Sequence, residues 1–463
     1  MKIVVLNGSP KGDLSATMQY VLYAQKKMPE HEFKILNVAN KIKSLENNQE
    51  KFQEIIEEVN SSNGIIWGFP LYVMLVSSQY KRFIELVFER NAVDAFKNKH
   101  AAVVATSIKF YDHTAINYMN AICDDLDMKF TSFFSADMYD LIRSKERAQW
   151  LLFVEDFLHS IENNIFSMKH FLPVREREFI YNPSKVEKAD KITIENKKIL
   201  VVSDAIDENS NLGKMIHRFQ DCFSNQIEII NIYDVDIKGG CLGCIQCGYD
   251  NQCIYFGKDG HREFWNEKLK KADILVFAGI IKDRYLSSRW KMVLDRGFFN
   301  NHIPTLIRKQ IGFIISGPLS QTPNLTQILQ AYGELQDSNL VDIITDEHGD
   351  SSDLDLVLLN LARSLVRSSK SEYVKPQTFL GVGGKLLFRD EVYGRMRFVF
   401  QADHRYYEEH GYYNTFPQND KVAKKMNDMF IPATQDEDFR KKFYARLTKE
   451  MIKPLKNVVR KAK

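Results

Sequence analysis

Four cysteines, Cys241, Cys244, Cys247 and Cys253, form a C-x2-C-x2-C-x5-C run, and the rest of the 463-residue chain holds only Cys123 and Cys222. Loops this short gain little from disulfide closure, because closing them removes little entropy from the unfolded chain. The N-terminus, MKIVVLNGSP, lacks the charged and apolar regions of a secretory signal, so the expected compartment is the reducing cytoplasm. Thiolate ligation of a metal or an iron–sulfur centre is the chemistry that remains.

Structural zinc usually takes two cysteine pairs separated by a dozen or more residues. Here three cysteines at i, i+3 and i+6 wrap one face of a cubane-sized object, and the fourth follows a turn of Gly248, Tyr249 and Asp250. The spacing favours a [4Fe–4S] cluster, with zinc or a redox-labile, metal-free loop as the alternatives. Gly239, Gly240 and Gly243 would let backbone N–H groups turn toward sulfur; the plainer reading is a surface loop.

A second chemical feature lies at the other end of the chain. The stretch Asn7-Gly8-Ser9-Pro10-Lys11-Gly12-Asp13-Leu14-Ser15-Ala16-Thr17 follows an apolar run, KIVVL, and leads into a helical pattern. Hydroxyls of Ser9, Ser15 and Thr17, backbone N–H groups and a helix N-terminus would converge there on one phosphate monoester. Neither G-x-x-x-x-G-K-[ST] nor G-x-G-x-x-G is present, which disfavours nucleoside triphosphates and dinucleotides at this loop.

The elements that would hold these loops repeat. Lys2–Leu6, Phe33–Leu36, Gly64–Trp67, Ala101–Ala105 and Phe130–Phe134 read as strands buried on both faces, each followed by helical periodicity. Ile199–Val202, Ile227–Ile230, Ile274–Phe277, Ile311–Ile315 and Val341–Ile344 repeat the order. SSQYKRFIELVFER at Ser77–Arg90 parallels SSRWKMVLDRGFF at Ser287–Phe299. The expected fold is α/β: two tandem doubly wound, parallel five-stranded sheets from a duplication, paired as a covalent pseudo-dimer, plus a C-terminal, mainly helical segment. The boundaries read as 1–163, a linker over 164–197, 198–370, and an aromatic-rich, basic segment over 371–463 that opens on a Gly-rich turn at Gly381, Gly383 and Gly384. Cys123 and Cys222 read as packed helix residues.

The hydrophobic fraction, 44%, is ample for ordinary cores, and the net charge of +3 gives no general case for nucleic-acid binding. No apolar run reaches the length of a membrane span. From Arg440 to Lys463 basic residues combine with apolar residues at helical spacing, which reads as a docked amphipathic helix or as a docking face for an acidic electron carrier or an anionic membrane surface.

The strand, the G-S-P-K-x-x-x-S-x-T loop, and Pro70-Leu71-Tyr72 running into Ser77, Gln79, Lys81, Phe83, Ile84 and Glu85 resemble the NADPH-dependent FMN reductase superfamily of flavodoxin-like proteins. With the cysteine run, the chain resembles the two-domain iron–sulfur flavoproteins of anaerobes over nearly all of residues 1–370. The resemblance implies that Ser9, Lys11, Ser15 and Thr17 hold an FMN phosphate, while Pro70, Leu71 and Tyr72 line the isoalloxazine. Met74 departs from the family's usual glycine. The loop after the fourth strand, from Thr106 and Ser107 through Lys109 to His113, would cover the flavin edge; no catalytic residue is assigned, and for His113 capping and solvation outweigh a catalytic role.

The corresponding loop of the second half, Ser203 to Asn211, carries Asp204, Asp207 and Glu208, which would repel a phosphate. The expected function is therefore an oxidoreductase with FMN in the first half and the cluster in the second. It would pass electrons between NAD(P)H or ferredoxin and a small acceptor, with homo-oligomerisation possible. The rivals are a non-catalytic electron carrier or docking subunit, and a flavin reductase with a structural zinc.

Overall fold

The structure is a computed structural model and describes residues 1–415 and 421–446. In the first half β1 (Lys2–Asn7), β2 (Glu32–Leu36), β3 (Gly64–Pro70), β4 (His100–Ser107) and β5 (Lys129–Asp137) form a parallel sheet in the order β2-β1-β3-β4-β5. Around it lie α1 (Ala16–Lys27), α2 (Ile42–Asn47), α3 (Gln49–Asn60), α4 (Ser78–Glu89), α5 (Asp112–Asp125) and α6 (Ser144–Glu162).

In the second half β6 (Ile199–Ser203), β7 (Glu228–Asn231), β8 (Ile274–Lys282), β9 (Tyr285–Leu286), β10 (Gln310–Ser316) and β11 (Asn339–Thr345) give the matching order β11-β10-β8-β6-β7. A sixth strand is the departure from expectation: β9 folds back antiparallel onto β8. Its helices are α7 (Asn211–Asp221), α8 (His261–Glu263), which continues as a π-helical turn over Phe264–Leu269, then α9 (Ser288–Arg296), α10 (Pro323–Leu335) and α11 (Ser351–Ser371). Both halves are flavodoxin-like, with the strand order that puts a ligand crevice beyond the carboxyl ends of β1 and β3.

Side-chain alternation along the central strands builds three apolar layers. Ile3 and Val5 face one core of the first half, and Ile199 and Val201 face one core of the second. Val4, Leu6, Leu200 and Val202 all enter a third cluster that runs through both halves. The two halves thus share one core.

Their contact is a pseudo-twofold helix pair. Counterparts lie 210 positions apart: Ser78 and Ser288, Lys81 and Lys291, Glu85 and Asp295. Ser78 N donates to Asp295 Oδ2 at 2.8 Å, and Ser288 N donates to Glu85 Oε1 at 2.6 Å. Lys81 reaches Glu85 (3.1 Å) and Asp283 (3.4 Å), while Lys291 pairs with Asp295 and donates to Tyr72 O at 2.9 Å. Reciprocal contacts of this kind are the mark of an isologous interface. Burial would raise the Glu85 carboxyl, but the Lys81 charge and the Ser288 bonds bring it down to about 2. Asp295, also buried but with fewer cations around it, is raised instead.

The connector is pinned rather than loose: Tyr181 Oη, Ser184 N and Arg218 Nε all donate to the Asp355 carboxylate. Cys123 is buried on α5, and Cys222 is buried at the C-cap of α7.

Beyond α11, α12 (Phe379–Tyr393) and the residues to His404 belong to the same compact unit as both sheets; a second unit begins at Arg405. The expected Gly-rich turn is absent, because Gly381, Gly383 and Gly384 lie inside α12. A β-carbon at Gly384 would press on Phe110, Tyr111 and Leu335, and one at Gly381 on Glu334. These glycines serve close helix approach.

The chain continues into α13 (Gln401–Glu409) and α14 (Lys421–Ala433). In the second unit, Phe443 packs its ring on Phe430 and Phe439, at 5.1 and 5.9 Å between centroids. The basic amphipathic pattern expected over 440–463 lies outside the described residues from 447 onward. Among the described residues no helix is long and apolar enough to cross a membrane.

Candidate functional site

The loop after β1 is built by local bonds. Gly8 N still bonds to Gly68 O of β3, and then Ser9 N donates to Asn7 Oδ1 at 3.0 Å and Lys11 N to Ser9 Oγ at 3.2 Å, so side chains take over from sheet partners as the backbone turns. Gly12 takes φ +59°, a conformation glycine adopts without steric cost. Gly8 lies flat on the Tyr80 ring, with no space for a β-carbon. Ser15 occupies the N-cap of α1, yet its hydroxyl makes no capping bond and is buried with no partner among the described residues. A buried, unpaired hydroxyl at a helix N-terminus fits a bound anion.

Two expected site residues from distant segments meet here: Thr17 Oγ1 and Thr106 Oγ1 are 2.7 Å apart. Pro70 pairs with Thr106 across β3 and β4, and Leu71 N donates to Thr106 O at 3.1 Å. Ser107 Oγ accepts from Lys109 N at 2.9 Å, and the Lys109 ammonium bonds to Ser135 rather than turning inward. His113 is exposed, with its ring stacked against Tyr111.

Tyr72 and Leu75 exchange backbone bonds of 2.8 and 2.9 Å around a two-residue turn, with Val73 at φ 31° and Met74 at φ 62°. Met74 therefore holds a left-handed conformation that a glycine would take without strain. The second half repeats the hairpin: Lys282 pairs with Tyr285 around Asp283 (φ 46°) and Arg284 (φ 62°).

The cysteine loop lies over these residues. A β-carbon at Gly243 (φ +62°) would collide with Tyr72 Oη and press on the Lys11 side chain. Gln79 Nε2 donates to Cys241 O at 3.0 Å, and Gly240 sits against Ser78 and Gln79. Burial, with the charges of Cys241, Asp295 and Cys244 behind it, pushes the Tyr72 phenol well above its ordinary range, so it stays protonated. The loop of the second half thus touches three residues of the first-half motifs: Lys11, Tyr72 and Gln79.

Cys241, Cys244, Cys247 and Cys253 line a single cavity with Tyr255, Arg296, Phe298 and Phe299. Burial pushes the Cys241 and Cys247 thiols up to about 12, and each is also shifted by the charges of the other cysteines. The Gly243 N–H bonds to Cys241 and opposes that shift. Among the described residues, no three His, Cys, Asp or Glu side chains converge closely enough to hold a metal ion.

Two elements that sequence reasoning missed complete the site. Arg296 is buried, donates to Gly239 O at 2.9 Å, and pairs with Asp259 at 2.8 and 3.0 Å. Its counterpart 210 positions earlier is Leu86, so a charged departure from the repeat was the available signal. The second element is the stretch from α12 to His404. Tyr111 Oη donates to Leu380 O, Phe110 meets the Phe388 ring at 4.3 Å, and Arg395 clamps Asp137 at the end of β5. On the other side Val399 O presses on Gly248, and Asp403 binds His302 through its N (3.1 Å) and Nδ1 (2.5 Å). His302 adjoins Asn301, which donates to Cys247 O at 2.9 Å. This strap ties the loop after β4 to the cysteine loop.

Residues 1–130 match the model of the NADPH-dependent FMN reductase family. The matched segment contains every first-half loop described above. No curated protein matches the chain. Among solved structures it is similar to NADH:FMN oxidoreductase (EMOB), with 18% identity over 34% of this chain and 89% of that one and a TM-score of 0.29. FerB, an NAD(P)H:(acceptor) oxidoreductase from Paracoccus denitrificans, gives 17% identity, 35% and 97% coverage, and a TM-score of 0.29. An FMN-dependent NADH-azoreductase from Bacillus anthracis in complex with FMN gives 14%, 35% and 98%, and 0.27.

Proposed function

We propose that the protein is an FMN- and iron–sulfur-dependent oxidoreductase that carries electrons between NAD(P)H or ferredoxin and a small acceptor. The observation that carries this reading is the seating of the cysteine loop on Lys11 and Tyr72. In it, Ser9, Lys11, Ser15 and Thr17 hold the FMN phosphate; the unpartnered Ser15 hydroxyl supports that assignment. Pro70, Leu71 and Tyr72 line the ring, with Thr106 and Ser107 beyond it. The four cysteines hold the cluster, supported by the cavity they share.

A flavin exchanges one or two electrons and a [4Fe–4S] centre one, so the pair interconverts the two kinds of transfer. The chain's own residues contribute position and exclusion of water. Tyr72, protonated and packed on Gly243, would stand between the flavin ring and the cluster, and the strap packs against Phe110 and Gly248.

The test is anaerobic purification with visible absorption and flavin, iron, acid-labile sulfide and zinc assays. One FMN and about four irons per chain are expected, and Cys247→Ser should lose iron while keeping flavin. Stoichiometric zinc without sulfide would select the structural-zinc reading. Reduced protein that transfers electrons only to a protein partner, and to no small acceptor, would select the carrier.

A further inference from the structure

Arg296 is the one cation among the side chains lining the four-cysteine cavity. Its side chain is 2% exposed, and its guanidinium lies over the Tyr255 ring at 4.0 Å. Both terminal nitrogens are used, by Gly239 O and Asp259, but Nε has no partner among the described residues. A buried N–H with no acceptor costs on the order of 1–3 kcal/mol, which is a reason to look for an acceptor in the cavity it lines. Cys253 is near enough for its charge to act on the guanidinium.

We propose that Arg296 is the positioning and tuning residue of the cysteine-bound centre, with Nε donating to a thiolate or sulfide sulfur and the guanidinium offsetting the centre's negative charge. The proposal rests on the iron–sulfur reading above. A centre held by four thiolates gains negative charge on reduction, so a fixed cation in a low-dielectric wall stabilises the reduced form more than the oxidised one. Asp259, bonded to both terminal nitrogens, works in the opposite direction, and the difference sets the potential at which the flavin side exchanges an electron with it. The Gly239 bond also ties the start of the cysteine loop to α9, which fixes the cavity's rim.

The experiment is an EPR-monitored redox titration of full-length, anaerobically prepared wild type, Arg296→Gln, Arg296→Lys and Asp259→Asn, with iron, sulfide and flavin assayed in each. At a fixed potential the reduced-to-oxidised ratio of the centre should fall at least tenfold in Arg296→Gln, a 59 mV drop for a one-electron couple. Arg296→Lys should recover most of that loss, Asp259→Asn should move the midpoint upward, and flavin content should not change. An unchanged midpoint in Arg296→Gln overturns the proposal. If that variant holds no cluster, an Asp259→Asn midpoint equal to wild type overturns it. Absence of iron and sulfide from the wild type removes the cluster reading itself, an outcome the assays separate from the other two.

Discussion

The two halves share strand order, hairpin and helix pair, yet differ at the loop after the first strand. Gly8 N bonds to Gly68 O, and its counterpart Asp204 N bonds to Ala278 O, so the backbone path is common to both. In the first half the Ser77 hydroxyl bonds to Gly8 O; in the second the Ser287 hydroxyl bonds to the Asp204 side chain. A carboxyl has entered the place where the first half keeps bare backbone. Gly213, at the start of α7, is crowded by the Asp207 and Glu208 carbonyls, whereas Ser15 stands unpaired at the start of α1. The scaffold is common to both halves, and the proposed anion site is confined to the first.

The strongest way to break that comparison is to put charge into each cradle. Thr17→Asp should abolish FMN retention, a loss of affinity of at least about 100-fold from burying a like charge beside a phosphate. Ser210→Asp in the second half should leave flavin content unchanged. Two flavins per wild-type chain, measured by released FMN, would show that both cradles work.

The helix pair offers a second contrast. Glu85→Gln should destabilise by about 2–3 kcal/mol, since it removes one of the two carboxylates on buried Lys81 and leaves Asp283. Asp295→Asn should cost about 3–5 kcal/mol, because Asp295 is the one carboxylate paired with buried Lys291 among the described residues. Denaturant unfolding distinguishes them, and equal losses would mean that the interface is electrostatically symmetric after all.

Asp204 sharpens the comparison through pH. Burial raises its carboxyl to about 6, above its unfolded value, so the folded form holds the proton more tightly. Its stabilising contribution is complete below about pH 4 and is lost as pH rises through about 6. Asp204→Asn should remove that slope and raise stability at pH 7 by on the order of 2 kcal/mol, read from midpoints at pH 5 and 7.5.

The smallest effect concerns the hairpin strain. Met74→Gly should relieve a left-handed non-glycine residue by about 1 kcal/mol, but it also removes a buried side chain at a cost of about 2 kcal/mol or more, so the net change should be a loss of about 1 kcal/mol. A loss above about 3 kcal/mol would show that packing, not backbone, fixes Met74.

The central strands were legible because parallel strands buried on both faces must be apolar throughout, whereas the edge strands β2, β5, β7 and β11 are only partly buried; all ten runs expected to be strands are strands. The likeness of the two halves was legible in the Ser77 and Ser287 helices, which the structure pairs at the contact between the halves. Gly381, Gly383 and Gly384 misled, since a glycine that permits helix contact and one that permits a turn look alike without the partner. Here the partners, Phe110, Glu334 and Leu335, lie far off in the chain. The cysteine spacing pointed to ligands, but Arg296 acts from a different segment and has no local pattern. β9 escaped notice because a two-residue strand has no period to detect.

The fused helix pair changes how the molecule responds to its own concentration. Two separate chains meeting through such an interface would part on dilution and share any substitution twice over. Joined through a connector fixed on Asp355, the halves face each other at an effective concentration that does not depend on how much protein is present. Turnover per molecule should then be flat from nanomolar to micromolar protein, and a mutation acquired on one side is never imposed on the other.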